Sequence, residues 1–204
     1  MEYNMNKTIT RYCIILFAYL AVLYPLWVRV KTLHWAFDGS LLQNLFPLFG
    51  LAAFSLLWLH SISGVFEEWL RKQFNFDQFV HVTSILILTS IILHPLLLLV
   101  ILGFNLSNLF LYYGTGYILL AIVGWLLLIT YDIGRALKKY DFFARNWNNI
   151  LIISNIGFLL TFFHSLALGS DLQSGLIRIV WIFYGVTAIL AVIYTYGVKR
   201  LLKK

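Results

Sequence analysis

The chain has 204 residues, 61% of them hydrophobic and only 11% charged, with a mean hydropathy of +0.86. Soluble domains carry about a quarter charged residues, so this composition excludes a soluble globular class and points to a polytopic membrane protein. The single cysteine, Cys13, excludes a disulfide framework and any Cys-based zinc or iron–sulfur site, and leaves histidine as the plausible metal ligand. A formal charge of +7 fits membrane topology and contact with anionic lipid, not nucleic acid.

The opening MEYNMNKTIT lacks the small-residue cleavage pattern of a signal peptide, and the apolar run after Arg11 exceeds a signal-peptide core. The first span is therefore expected to stay. Charged residues mark where the spans stop, and they predict helices over 12–30, 41–68, 78–103, 113–136, 147–168 and 178–198. The stretch from Phe79 to Tyr131 carries no charge and is too long for one helix, so Gly103, Asn105, Asn108, Gly114 and Gly116 are expected to supply a dividing turn. The predicted fold is all-α, a single six-helix membrane bundle over residues 1–204 with short connections. Trp27, Trp35, Tyr112, Tyr113 and Trp147 fall near span ends, where interfacial aromatics are expected.

Orientation follows from the lysines and arginines. Lys7, Arg11, Arg71, Lys72, Arg135, Lys138, Lys139, Arg145, Lys199, Arg200, Lys203 and Lys204 fall on one side of a six-span chain, and only Arg29, Lys31 and Arg178 on the other. The positive-inside rule places both termini in the cytoplasm of a multi-pass cell-membrane protein. Glu67 with Arg71 and Glu68 with Lys72 have the i,i+4 spacing of a solvated helix end.

An imidazole inside hydrocarbon is costly unless something binds it, which draws attention to His81 and His94 in the third span and His164 in the fifth. Both spans run from inside to outside. With Asp77 as the expected N-cap, His94 lies about 26 Å up its helix, and His164 lies about 26 Å above Trp147. Two histidines at one depth on different helices can clamp a heme iron from its two faces, so a b-type heme is the first cofactor to consider; an interhelical hydrogen bond is the plainer use of each ring. Pro95 frees the carbonyl of Ile91 and is expected to kink the helix beside His94. His81, only about 6 Å above Asp77, is either a solvated interfacial residue or part of an inner carrier site. His60, in the inner half of the second span, is placed to face it, and His34 belongs to a solvated connection.

The stretches FNFDQFVHVTSILILTSIILHPLLL and RNWNNILIISNIGFLLTFFHSLALGSDL, with a closing basic YTYGVKRLLKK, resemble the ferric-reductase-like transmembrane domain. That family includes NADPH oxidases, ferric reductases, six-span metalloreductases of the STEAP type and the heme membrane subunit of the periplasmic methionine sulfoxide reductase system. The resemblance covers the chain from about Leu57 onward. It implies a six-helix bundle with heme between the third and fifth helices, His94 and His164 as axial ligands, and electron transfer from cytoplasmic flavin to an acceptor outside. Arg178, at the outer end of the sixth span, is a candidate for a heme propionate or an anionic chelate, or a plain interfacial anchor.

Two-heme relatives carry a second histidine on the fifth helix, about thirteen residues before the outer one; here Ile150 and Leu151 stand in its place, and Val82 stands where relatives often have a basic residue. These departures imply one heme b, or two only if His81 finds another partner, with FAD or FMN at the cytoplasmic side. No dinucleotide fingerprint is present, so a separate cytoplasmic flavin reductase is the expected partner, besides membrane lipid. Two other readings stay open: a heme membrane anchor that passes electrons to an extracytoplasmic redox partner, and a heme-free six-helix transporter. As an oxidoreductase the chain would be a partner-dependent component.

Overall fold

The computed structural model describes residues 2–33, 35, 38 and 40–199, and so leaves His34, Arg200, Lys203 and Lys204 outside the described residues. Nine α-helices and no strand occur among the described residues. The long ones are α1 (Glu2–Lys31), α2 (Leu41–Val65), α4 (Phe76–Ile101), α6 (Thr115–Ala136), α8 (Trp147–Leu168) and α9 (Gly175–Ile193), the last continued by a π-helical turn over Tyr194–Val198. Short helices fill the connections: α3 (Glu67–Leu70), α5 (Leu106–Tyr113) and α7 (Asp141–Arg145). Six segments, Thr8–Lys31, Leu41–Val65, Phe76–Ile101, Thr115–Ala136, Trp147–Leu168 and Gly175–Val198, are long and apolar enough to cross a membrane. This is the expected multi-pass, six-helix architecture.

Sequence and structure differ at helix ends. The first helix starts well before residue 12, because polar residues 2–11 continue its turns on the near side of the apolar run. The turn expected between the third and fourth spans is longer than a turn. Gly103 and Gly114, both at positive φ (59° and 78°), bracket α5, which caps its own start through the Asn105 side chain. The N-cap of α4 is Asn75, whose Oδ1 accepts from the Gln78 amide, while Asp77 sits in the first turn and takes two bonds from Arg71 at 2.9 Å. Arg71 also reaches Glu67 at 2.9 Å, as its spacing predicts. These carboxylates, Asp77 foremost, strengthen the hold of the Arg71 guanidinium on its proton. Glu68 pairs with Lys199 at 3.7 Å, so the end of the last span is tied to α3 where a pair with Lys72 was expected.

The bundle is arranged around α2, which packs against α1, α4, α8 and α9. In its most apolar stretch 39% of residues are buried, against 11% in α1, so α1 is peripheral and lipid-facing. Lipid is as apolar as leucine, so these helices gain little from hiding apolar surface and associate through close packing and hydrogen bonds. Close packing is supplied by an aromatic stack across α2, α8 and α9. Trp58 lies on Tyr184 with centroids 4.1 Å apart, and Phe54 lies on Trp181 at 4.4 Å and against Phe158 at 4.9 Å. The indoles are satisfied as well, Trp58 donating to Thr187 Oγ1 and Trp181 to Ser165 Oγ, each at 2.8 Å. The other intimate pair is α6 with α8, where Gly124 meets Gly157. By contrast α4 rests chiefly on α2, and it pairs closely with neither α6 nor α8.

Polar bonding between helices follows the prolines. A proline inside a helix strips the carbonyl four residues earlier of its N–H partner, and an unpaired carbonyl in hydrocarbon costs several kcal/mol. All three prolines lie inside membrane helices, and each freed carbonyl is taken by a donor from elsewhere in the bundle. Pro25 frees Ala21, which accepts from Tyr184 Oη at 2.9 Å. Pro47 frees Gln43, which accepts from Arg29 Nη2 at 3.3 Å. Pro95 frees Ile91, which accepts from Trp125 Nε1 at 2.8 Å. The helix breaks thereby become ties between α1 and α9, α1 and α2, and α4 and α6. Arg29, largely buried, also pairs with Asp171 at 3.4 Å, which brings the α8–α9 connection into the same tie.

Candidate functional site

His94 stands on α4 immediately before Pro95, and its imidazole points at α2. Its Nδ1 lies 2.8 Å from the Phe46 carbonyl, one residue before Pro47. Gly50 makes this approach possible: a Cβ there would fall 2.9 Å from His94 Cε1 and 3.0 Å from Nδ1. His164 on α8 has the matching arrangement with α6, its Nδ1 lying 3.2 Å from the Tyr117 carbonyl. A carbonyl can only accept, so Nδ1 carries the proton in both rings. In the neutral tautomer both Nε2 atoms then hold free lone pairs.

This donor set suits one particular kind of metal. No group of three or more His, Cys, Asp and Glu side chains gathers among the described residues, so a site built only from protein ligands is not formed there. A heme iron asks the protein for axial ligands alone, and each would be oriented here by a backbone carbonyl, the usual outer-shell partner of a ligating imidazole. His94 and His164, so oriented, are the two axial donors that such an iron would need.

Beneath the histidines, towards the predicted cytoplasmic side, lies a cavity of about 490 Å³ enclosed by α2, α4, α6, α8 and the end of the last span. Ile87, Ile91, Leu128 and Phe158 line the part nearest the histidines, and all four are buried. Neither His94 nor His164 lines it. At its opposite end stand Arg71, Lys138 and Trp147, with Lys138 Nζ 4.3 Å from the centre of the Trp147 ring. Between the two ends the walls carry polar groups. Asn155 Nδ2 donates to the Leu151 carbonyl at 2.7 Å and to Tyr196 Oη at 3.3 Å, which leaves the tyrosine proton free to be donated. The His60 ring, also on the wall, is bonded through Nε2 to Thr83 Oγ1 at 2.5 Å.

The remaining sequence candidates are distributed as follows. His81 does not line this cavity. It lies on a neighbouring face of α4, with Nδ1 3.0 Å from Arg135 Nη2 of α6. His60 and His81 thus have separate partners and do not meet as the sequence suggested. Arg178 donates to the Leu172 carbonyl at 2.9 Å and pins the start of α9 to the preceding turn. Of the two residues standing in for an inner ligand, Ile150 packs on Gly134 of α6 and Leu151 lines the cavity. The sequence reading missed Asp132, Asn155 and Tyr196, all of which line the cavity. A polar side chain within an apolar run was the available signal at Asn155, and a carboxylate within the last turns of the predicted 113–136 span was the signal at Asp132.

No family model, curated protein or solved structure matches this chain.

Proposed function

We propose that the chain is a ferric-reductase-like transmembrane electron carrier that binds one heme b between His94 and His164. Electrons would pass from a cytoplasmic flavin donor, through the inner half of the bundle, to an acceptor on the outer side. The observation that carries this reading is the pairing of Nδ1 with a backbone carbonyl in both rings, which leaves an Nε2 lone pair on each of α4 and α8, two helices that do not pack closely and on which helical rise predicts like depths for the two histidines. Heme, when bound, supplies one-electron chemistry. The protein's part is to orient both imidazoles, through Gly50 and Phe46 on one side and Tyr117 on the other. Lipid-facing aliphatic residues around the bundle keep water from its sides.

The inner half supports the same reading. His81 and His94 are separated by about 20 Å along the helix, long for a single unaided electron step. The cavity occupies that interval, and with Leu151 on its wall and His81 outside it, a second bis-histidine heme has no ligand pair there. A second, non-heme carrier is the consistent occupant. The direction of flow rests on the basic residues, which place Arg71, Lys138 and Lys139 in the cytoplasm.

The chain reconstituted in lipid tests this reading. With NADH or NADPH alone, no reduced α or Soret band should appear; with an added cytoplasmic flavin reductase, both should. Reporters inserted near Lys139 and near Asn108 should lie inside and outside, respectively. Reduction by nicotinamide without added protein would exclude the partner-dependent carrier, and reversed reporters would exclude its direction.

A further inference from the structure

The central cavity has a neighbour on the flank of the bundle. On the lipid-facing surface between α4 and α6 lies a crevice of about 360 Å³, lined by His81, Ser84, Ile85, Leu88, Asp132 and Arg135. Ser84 and Asp132 line this crevice and the central cavity alike, so those side chains form the partition between the two spaces. The opening has a frame. Trp125 Nε1 bonded to the Ile91 carbonyl crosses from α6 to α4 above it, and Arg135 bonded to His81 Nδ1 crosses below it. From His81 to Ile91 the helix rises about 15 Å, a height that admits an isoprenoid-sized chain lying across the gap.

Ser84 is the second observation. It is 4% exposed, and its Oγ has no hydrogen-bond partner among the described residues. A serine in an apolar helix ordinarily bonds back to its own backbone, as Thr83 does here to Phe79. A buried hydroxyl left without a partner forfeits its hydration, a loss that a bound acceptor would relieve. The free Tyr196 proton, on the last span, is a donor on a different wall. The cavity walls also carry aromatic rings from Tyr131, Trp147 and Phe158.

We infer that the cavity is loaded from the membrane, through the gap between α4 and α6, by an isoprenoid quinone whose ring accepts hydrogen bonds from Ser84 and Tyr196 while its tail leaves past Ile85 and Leu88. The window selects the class. A phospholipid would have to bring its phosphate past the Asp132 carboxylate, which opposes the attraction of the Arg135 guanidinium in the same lining. A quinone head is uncharged and flat and carries carbonyl acceptors on opposite edges, which matches neutral donors on separate walls lined by aromatic rings. The choice of a redox-active head rests on the proposed electron-transfer function; the lateral route and the Ser84 contact do not.

The test uses the purified full chain in phospholipid nanodiscs and decylubiquinone as the probe, with bound quinone measured by equilibrium dialysis against empty discs. Saturable binding of one quinone per chain is expected. Ile85→Trp, at a residue 52% exposed on the lipid face, closes the window without entering the core, and should weaken or slow binding by about tenfold or more. Ser84→Ala should weaken it by about fivefold, the worth of one hydrogen bond. Leu119→Trp, 49% exposed on the lipid side of α6 and remote from the window, should bind as the unmodified chain does. Linear partitioning that matches empty discs, or Ile85→Trp binding at unchanged rate and affinity, would overturn the inference. The heme spectrum separates this outcome from the fate of the proposed function. Window variants should leave the His94 and His164 signal intact, whereas a heme-free chain that binds quinone through the window would retain the route and reject the heme.

Discussion

Replacing His94 or His164 by alanine should abolish the low-spin, bis-histidine heme signal, because either change leaves iron with one strong axial ligand. Electron paramagnetic resonance of the oxidised protein and the reduced α band report this directly. His81→Ala should leave both unchanged, since its ring is bonded to Arg135 outside the cavity. Gly50→Val provides an intermediate case. Its Cβ would lie within 2.9–3.3 Å of three His94 ring atoms, so the imidazole must turn and surrender the Phe46 carbonyl. The low-spin signal should broaden or shift there, with His164 intact. An unchanged low-spin spectrum in either alanine variant would refute the ligand assignment.

The largest effect on stability is expected at the α6–α8 seam. A Cβ at Gly157 would sit 2.7 Å from both the Gly124 carbonyl oxygen and the Leu128 amide nitrogen. Both are backbone atoms in the facing helix, so no rotamer change can make room and α6 and α8 must separate. Gly157→Leu should therefore cost about 3 kcal/mol or more, at the upper end for overpacking, and appear as a large fall in the midpoint of thermal or denaturant unfolding in micelles. It should also weaken heme retention, because His164 is oriented by Tyr117 across the same seam. Gly64→Ala is the control. Nothing lies within 4 Å of a Cβ there, so stability should be unchanged or slightly raised by the better helix former. Equal stability of Gly157→Leu and the unmodified chain would mean that the seam is not close-packed.

Much of this architecture is legible in the order of the residues. Runs bounded by Arg11, Glu67, Asp132 and Lys199 mark membrane crossings because charge is expensive in hydrocarbon and little else ends an apolar helix. The need to repair the Ile91 carbonyl follows from Pro95 alone. Its repair by Trp125 does not, since the donor comes from another helix and depends on how the two are rotated against each other. The same holds for Tyr184 at Ala21 and Arg29 at Gln43.

Site residues divide along the same line. The depths of His94 and His164 follow from helical rise, but their carbonyl partners Phe46 and Tyr117 are tertiary facts. Helical rotation already separates His81 from His94 by about 140°, a hint that they serve different faces. What His81 meets instead, Arg135, depends on which part of α6 comes beside α4. The cavity was least legible of all, because Ser84, Asn155 and Tyr196 lie far apart in the chain and each alone is an ordinary polar residue in an apolar helix.

The most direct measurement of the central claim is heme content per chain, by pyridine hemochrome assay on protein purified from a heme-replete host and normalised to protein by amino-acid analysis. One heme b per chain is the expected result, falling towards none in the His94→Ala, His164→Ala double variant. A preparation with no heme, or with two per chain, would contradict a single site held by His94 and His164.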